Sequence, residues 1–216
     1  MKRIGCFLGL FLWLSALPAL AVQEADTTTT HFFSLSVPFV VQAPFGDWSS
    51  PWQDFCEEAS ITMSYSYLTG KVPDKYESAL VMLRLAIFEM KTLGYDKDTD
   101  VRDTERMMHE YFGYMKTLIL KNPSVADIKN ALLSGNLVLA PFDGQLVDNP
   151  YYVPPGPRYH MVVIKGYDND NFIVNDPGTR HGEGFRYPIN SFMNAIHDLV
   201  TGDIREGPKS VLVIEK

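Results

Sequence analysis

The chain has 216 residues, 46% of them hydrophobic, with 26 acidic against 19 basic residues and a formal net charge of −7. This length suits a single hydrophobic core, so we expect one domain. The acidic balance and the lack of a basic run argue against nucleic acid or anionic lipid as partner, because both need a basic face.

The first 21 residues have the layout of a cleavable secretory signal. Lys2 and Arg3 precede an apolar run that ends in small residues at Ala21. This run is shorter than a bilayer span, and no other stretch approaches about 18 uninterrupted apolar residues, so we expect no membrane span after signal removal. We therefore expect a mature chain from Val22, secreted or periplasmic, whose 17 basic and 26 acidic residues give a net charge of about −9.

Signal removal would leave one cysteine. Cys6 departs with the signal, and Cys56 remains in the stretch PWQDFCEEAS. A lone cysteine in an exported protein cannot form an internal disulfide, so it is an inert buried thiol, an intermolecular bridge or a reactive group. Residues 22–32 are polar and threonine-rich, which predicts a flexible leader, and residues 33–216 form the expected domain.

The first half of the domain reads as helical. Residues 37–42 suggest a short extended segment before a loop with two tryptophans. Asp54 is placed to cap a helix that begins at Phe55, and Glu57 would complete a capping box, so Cys56 falls in the first turn. Gly70 offers the stop for this helix. Further helical patterns cover about 75–93, 99–111 and 124–133.

The second half changes to short runs rich in valine and isoleucine, separated by turn residues. Such runs predict strands, and they are LVLAPF, HMVVIKGYD, NFIVNDP and SVLVIEK. Helices followed by a sheet indicate an α+β fold.

The position of Cys56 favours chemistry. A thiol attacks carbonyl carbon as thiolate, and a helix N-terminus together with a nearby imidazolium lowers the thiol pKa. Glu57 and Glu58 act in the opposite direction, so a cationic partner becomes more necessary. Among five histidines, His160 begins a predicted strand directly after the rigid VPPGP loop, which suits a general base. Taken alone, any one histidine is more often structural.

The segment after His160 reads as a β-hairpin that brings Asp176 back to the same open end. Both side chains lie on one face only if the hairpin has a three-residue loop at Asn169–Asn171 or a bulge. Asp176 would then orient the imidazole, as a third group does in nucleophilic triads. The alternative is a simple turn residue before Pro177.

In combination, VPFVVQ, QDFCEEAS, YHMVVIKGYD and NDPGT resemble the C39-like branch of the papain-like cysteine peptidases over nearly the whole mature chain. The resemblance implies a papain-like fold, with the cysteine at a helix start and a C-terminal antiparallel sheet. It implies a peptide or protein substrate cleaved through a thioester by Cys56 as nucleophile, His160 as base and acid, and Asp176 as orienting carboxylate. Gln42 matches the family position of the oxyanion donor, and Gln53 is its rival.

The sequence departs from the family at Glu57, where many relatives have glycine. Exporter-fused relatives process leader peptides, but this chain shows no transporter, so that substrate does not carry over. Two alternatives keep the fold: a weak or inactive module that binds peptide or cell wall, and an acyltransferase or amidase on the same triad. No metal or cofactor is expected, since the sequence has neither HExxH nor a cysteine pair with zinc spacing. Oligomeric state is not indicated.

Overall fold

The computed structural model describes residues 32–95, 97–200 and 202–216. The predicted signal and residues 22–31 of the predicted leader lie outside these ranges. Among the helices within them, none is both long enough and apolar enough to cross a bilayer.

Most of the helices lie in the first half of the domain, as predicted. The described ranges contain α1 (Cys56–Thr69), α2 (Lys75–Thr92), α3 (Val101–Arg106), α4 (Val125–Leu133) and α5 (Ile189–Ala195). A π-helical turn, Met107–Tyr111, continues α3. Both α2 and α4 begin with a capping box, in which the side chains of the cap and of the third helical residue satisfy each other's free backbone amides.

The start of α1 differs from the prediction. Phe55 is the N-cap, no side chain caps the helix, and Cys56 is its first residue, so the capping box expected from Asp54 and Glu57 is wrong. The reason is that the Glu57 carboxylate turns inward and accepts the backbone N–H of Thr99 at 2.6 Å. The end of the helix is as predicted, with Gly70 in the left-handed conformation at φ 71°.

The strands form one antiparallel sheet. They are β1 (Phe33–Ser34), β2 (Thr117–Lys121), β3 (Leu137–Phe142), β4 (His160–Tyr167), β5 (Asn171–Asn175), β6 (Phe185–Pro188) and β7 (Ser210–Ile214). The strand order is β2-β7-β3-β4-β5-β6, and β1 pairs with the C-terminal end of β4. The four predicted strands are confirmed as β3, β4, β5 and β7, whereas residues 37–42 lie outside the sheet.

The sheet is buried on both faces. One apolar cluster joins it to α1, α2 and α3, and includes Ile61, Met82, Met161 and Leu212. The other joins its opposite face to α4 and α5, and includes Ile128, Phe192, Val162 and Val213. Successive residues of each central strand alternate between the two clusters, which explains the nearly continuous apolar runs of the sequence. The α1 and β4 N-termini border the same cleft.

Candidate active site

A cleft of about 760 Å³ lies at the N-terminal ends of α1 and β4. Cys56, His160, Gln42 and Gln53 all line it, so the structure brings these four sequence candidates together. Asp176 lies behind His160 and contacts it directly. The remaining lining residues are aromatic, charged or small: Trp48, Asp54, Asp98, Tyr151, Tyr152, Val153, Gly156, Pro157, Arg158, Tyr159, Gly178, Thr179, Arg180 and His181.

Cys56 is buried, with 3% of its surface exposed. Its thiol Sγ donates to the Glu57 carboxylate Oε2 at 3.0 Å. Burial raises the pKa of Cys56 well above its ordinary value, and the negative charges of Glu57 and Asp98 raise it further. The thiol is therefore held protonated in this arrangement. The N-terminus of α1 favours the thiolate, but the Glu57 carboxylate favours the thiol.

His160 and Asp176 form a buried pair. The imidazole Nε2 lies 2.7 Å from the Asp176 carboxylate Oδ1. A carboxylate at that distance favours the tautomer with its proton on Nε2, which leaves Nδ1 free to accept a proton from a thiol. Phe142 and Tyr152 meet the imidazole ring edge-on and limit its rotation.

Asp176 is the centre of a network of donors. Its Oδ1 also accepts the backbone N–H of Gly178 at 2.9 Å. Its Oδ2 accepts the Tyr152 and Tyr187 hydroxyls, each at 2.7 Å, and the Asn149 amide Nδ2 at 3.1 Å. Burial alone would raise the pKa of Asp176, but the adjacent imidazole and these donors outweigh it, so the pKa is lowered. Asp176 is thus held as a carboxylate.

A bulge brings His160 and Asp176 to one face. Near the hairpin turn Tyr167 pairs with Phe172, a register that would place Asp176 opposite Val163, on the other face from His160. The register shifts between Ile164 and Gly166, where β4 has one extra residue. Beyond the shift the ladder places Asp176 opposite Val162, on the His160 face. The bulge, not the three-residue loop, meets the requirement.

Gln42 contacts the turn that precedes α1. Its amide Nε2 donates to the backbone carbonyls of Trp52 at 3.0 Å and Gln53 at 2.8 Å, which uses both amide hydrogens. The Gln53 side chain is exposed, and its amide lies 3.4 Å from the carboxylate of Asp54. In this arrangement Gln53 is therefore the more available donor, and the oxyanion role of Gln42 stays a prediction.

Sequence reasoning did not find several residues of this site. Asn149 and Tyr187 reach Asp176 from a loop and from the edge strand β6, and Asp98 and Thr99 reach Glu57 from the segment before α3. None of them belongs to the motifs around the triad, so only tertiary structure reveals them. The only local signal is NPYY at residues 149–152, which contains the Asn149 amide and the Tyr152 hydroxyl that donate to Asp176.

The aromatic residues divide between the cleft and the core. Trp48, Tyr151, Tyr152 and Tyr159 line the cleft, whereas Trp52 packs edge-on against Phe55 beneath it. Among the described residues, no group of three or more His, Cys, Asp or Glu side chains is arranged to hold a metal ion.

The comparisons with known proteins agree with this fold. A crystal structure from Bacillus anthracis, whose assignment as a C39-like peptidase is itself provisional, superposes with a TM-score of 0.57 at 16% sequence identity. The match covers 86% of this chain and 98% of that one. No curated protein matches the chain. The model of the Peptidase_C39 like family matches residues 34–198. The chain therefore belongs to the C39-like peptidase family.

Proposed function

We propose that the protein is an exported cysteine peptidase that hydrolyses peptide bonds with Cys56, His160 and Asp176. One observation carries the proposal: His160 lines the same cleft as the thiol at the start of α1, and Asp176 holds its imidazole from behind, with 2.7 Å between Nε2 and Oδ1. This is the nucleophile, base and orienting group that acyl transfer requires.

The proposed reaction has two halves. As the Cys56 sulfur bonds to the amide carbonyl carbon, its proton passes to Nδ1 of His160, and the carbonyl oxygen becomes an oxyanion. The backbone N–H of Cys56 and a glutamine side chain are suited to stabilise that oxyanion. His160 then gives the proton to the leaving amine as the carbon–nitrogen bond breaks, which leaves a thioester.

In the second half, His160 takes a proton from water, and the hydroxide oxygen bonds to the thioester carbon. The carbon–sulfur bond breaks, the acid product leaves, and the proton returns to the thiolate. Asp176 keeps its charge throughout and stabilises the imidazolium that forms in each half.

A binding module is the second candidate, and the Cys56–Glu57 contact favours it. A thiol that donates to a buried carboxylate is not ionised, and Glu57 is such a partner of Cys56. If the site never ionises its thiol, the cleft would hold a peptide without cleaving it.

A peptide library incubated with the purified protein tests the proposal. Wild type should cleave some of its members, and Cys56→Ala and His160→Ala should lose at least about a thousandfold of that activity. His181→Ala is the matched control, because His181 lines the same cleft but stacks on Tyr151 rather than contacting Asp176.

The outcomes separate the candidates. Cleavage that survives Cys56→Ala would refute the proposal. Tight peptide binding that is equal in wild type and Cys56→Ser, with no cleavage, would establish the binding module. Capture of the acyl group by an added amine, in preference to water, would indicate an acyltransferase.

A further inference from the structure

Glu57 is the direct partner of the thiol that we assign as nucleophile. It is 1% exposed, and both of its carboxylate oxygens are engaged. Oε2 accepts the Cys56 S–H at 3.0 Å, and Oε1 accepts the backbone N–H of Thr99 at 2.6 Å. The Thr99 segment is itself fixed, because its carbonyl accepts the buried Tyr159 hydroxyl at 2.7 Å. Glu57 therefore has a defined orientation.

The Thr99 contact determines where Glu57 can take up a proton. A backbone N–H only donates, so Oε1 must remain an acceptor. An added proton therefore binds Oε2, the oxygen that faces Sγ. The direction of the contact then reverses: a protonated Oε2 donates to sulfur, and such a hydrogen bond stabilises the thiolate. A charged Glu57 stabilises the thiol instead.

The groups around Glu57 are acidic or neutral. On α1 it faces Cys56 and Glu58, from the segment before α3 it faces Asp98, and from the residue before β4 it faces Tyr159. Within the described residues no lysine or arginine forms a salt bridge with Glu57.

The surroundings of Asp98 include both signs of charge. Asp98 faces Asp54, and it also faces two cationic or basic groups, His160 and Lys97. Burial first, and then the charge of Asp98, raise the pKa of Glu57 to about 7. Glu57 consequently changes charge near neutral pH.

We propose that Glu57 is a positioning residue that controls the ionisation of Cys56, holding the thiol proton while charged and stabilising the thiolate once protonated. The inference rests on the proposed role of Cys56 as nucleophile. It means that the reactive state, a thiolate beside an imidazolium with a neutral Glu57, holds one proton more than the resting state. Acid would therefore activate the site, and alkali would silence it.

Alkylation of Cys56 by iodoacetamide, measured on the Cys56 peptide by mass spectrometry, tests this without a substrate. The wild-type rate should fall about fivefold between pH 7 and pH 8, because the protonated fraction of Glu57 falls by that factor; a free thiol does the reverse, and its rate rises with pH. In Glu57→Gln the amide is always neutral and can donate to sulfur, so the fall should disappear, with a rate at pH 8 about tenfold above wild type.

Glu58→Gln is the matched control, since Glu58 is buried beside Glu57 but forms its hydrogen bond with Glu89. It should keep the fall above pH 7. A wild-type alkylation rate that rises steadily from pH 5 to pH 8 would overturn the inference. This measurement uses the wild-type protein alone, so it does not depend on whether a variant folds. A Glu57→Gln profile equal to wild type would also overturn the inference. If either of these results were found but cleavage still depended on Cys56, the role of Glu57 would fail and the proposed peptidase function would stand. If the alkylation rate fell above pH 7 but no peptide were cleaved, Glu57 would control the thiol and the proposed peptidase function would fail.

Discussion

At the scale of single residues, Asp176 shows how the fold keeps a buried charge. Five donors surround its carboxylate, two on Oδ1 and three on Oδ2. A buried carboxylate without such partners would take up a proton and lose its hold on the imidazole. The network therefore serves the triad and the stability of the fold together.

Tyr187→Phe should weaken this network while keeping the ring, which is fully buried and stacked on Phe192. The loss of one hydrogen bond to a charged acceptor should lower the free energy of unfolding at pH 7 by about 1.5–3 kcal/mol. Because the folded pKa of Asp176 is lowered, its stabilisation is present above about pH 4 and is lost as pH falls through the folded value. The difference from wild type should therefore shrink in acid.

Urea unfolding at pH 7 and pH 3 measures both effects. Tyr65→Phe is the control, because Tyr65 stacks on Phe112 and its hydroxyl has no hydrogen-bond partner among the described residues. An equal loss at both pH values would contradict the electrostatic explanation.

Gly178 has no side chain, and the imidazole of His160 occupies the space that a Cβ would fill. A Cβ at this position would lie 2.7 Å from Cε1 and 2.8 Å from Nε2 of His160. Gly178→Ala should displace the ring and lower peptide hydrolysis about 10- to 100-fold, since reacting groups tolerate little misplacement. Thr179→Ser, which adds no atom near the ring, is the control, and a folded Gly178→Ala with full activity would contradict the prediction.

At the scale of elements, the sequence predicted what repeats locally. The periodicity of α1 to α4 and the apolar runs of β3, β4, β5 and β7 were sufficient to predict these elements. The strands β2 and β6 were missed because they are the sheet edges, half exposed and mixed in composition. The cap of α1 was predicted wrongly because a tertiary contact with Thr99 outweighed the local one.

The candidate site was predictable to a similar depth. A helix start, a strand start and a hairpin return, all local signals, made Cys56, His160 and Asp176 candidates, and the resemblance to the C39-like family implied their roles. The sequence showed that a bulge or a three-residue loop was needed to put His160 and Asp176 on one face of the sheet. It did not show where the bulge lies, since Lys165 has no residue type typical of a bulge. Which carboxylate meets the thiol depends on side-chain orientation, which spacing does not specify.

The contact between α1 and α2 includes two buried carboxyl groups, Glu58 and Glu89, that share a hydrogen bond. Burial raises the pKa of Glu58, and the charges of Glu89 and Glu57 raise it further. Because the pKa of Glu58 is raised in the folded protein, the Glu58–Glu89 pair stabilises the fold fully below about pH 4.3, and this stabilisation is lost as pH rises and Glu58 ionises. A neutral amide at one position removes the repulsion.

Glu89→Gln should therefore reduce the loss of stability between pH 5 and pH 8, because Glu58 no longer faces a second carboxylate when it ionises. Urea midpoints at the two pH values measure it. Glu206→Gln, at an exposed position, should behave as wild type. A pH dependence in Glu89→Gln identical to wild type would show that the pair does not titrate in this range.

At the scale of the whole molecule, the site lies where two layers meet. The thiol comes from the helices on one face of the sheet, and His160 comes from a central strand with helices on both faces. Neither layer contains the complete site, so the thiol and its proposed base depend on the same packing that stabilises the domain. The cleft also has mixed charge, with Asp54 and Asp98 opposed by Arg180 and by Arg158, which Asp203 pairs at 2.8 Å.

The net charge of −7 acts beyond the cleft. A field of one sign attracts oppositely charged substrates before contact, and salt screens it over about 8–10 Å at physiological ionic strength. For peptides cleaved at the same bond, kcat/KM should be higher with flanking lysines than with flanking glutamates, by about tenfold at low salt. Raising the ionic strength from about 0.01 M to 0.5 M should bring the two values together, while an uncharged peptide serves as the control. If the glutamate peptide were faster at low salt, the local cations of the cleft would outweigh the overall charge, and Arg180→Gln should then remove that preference.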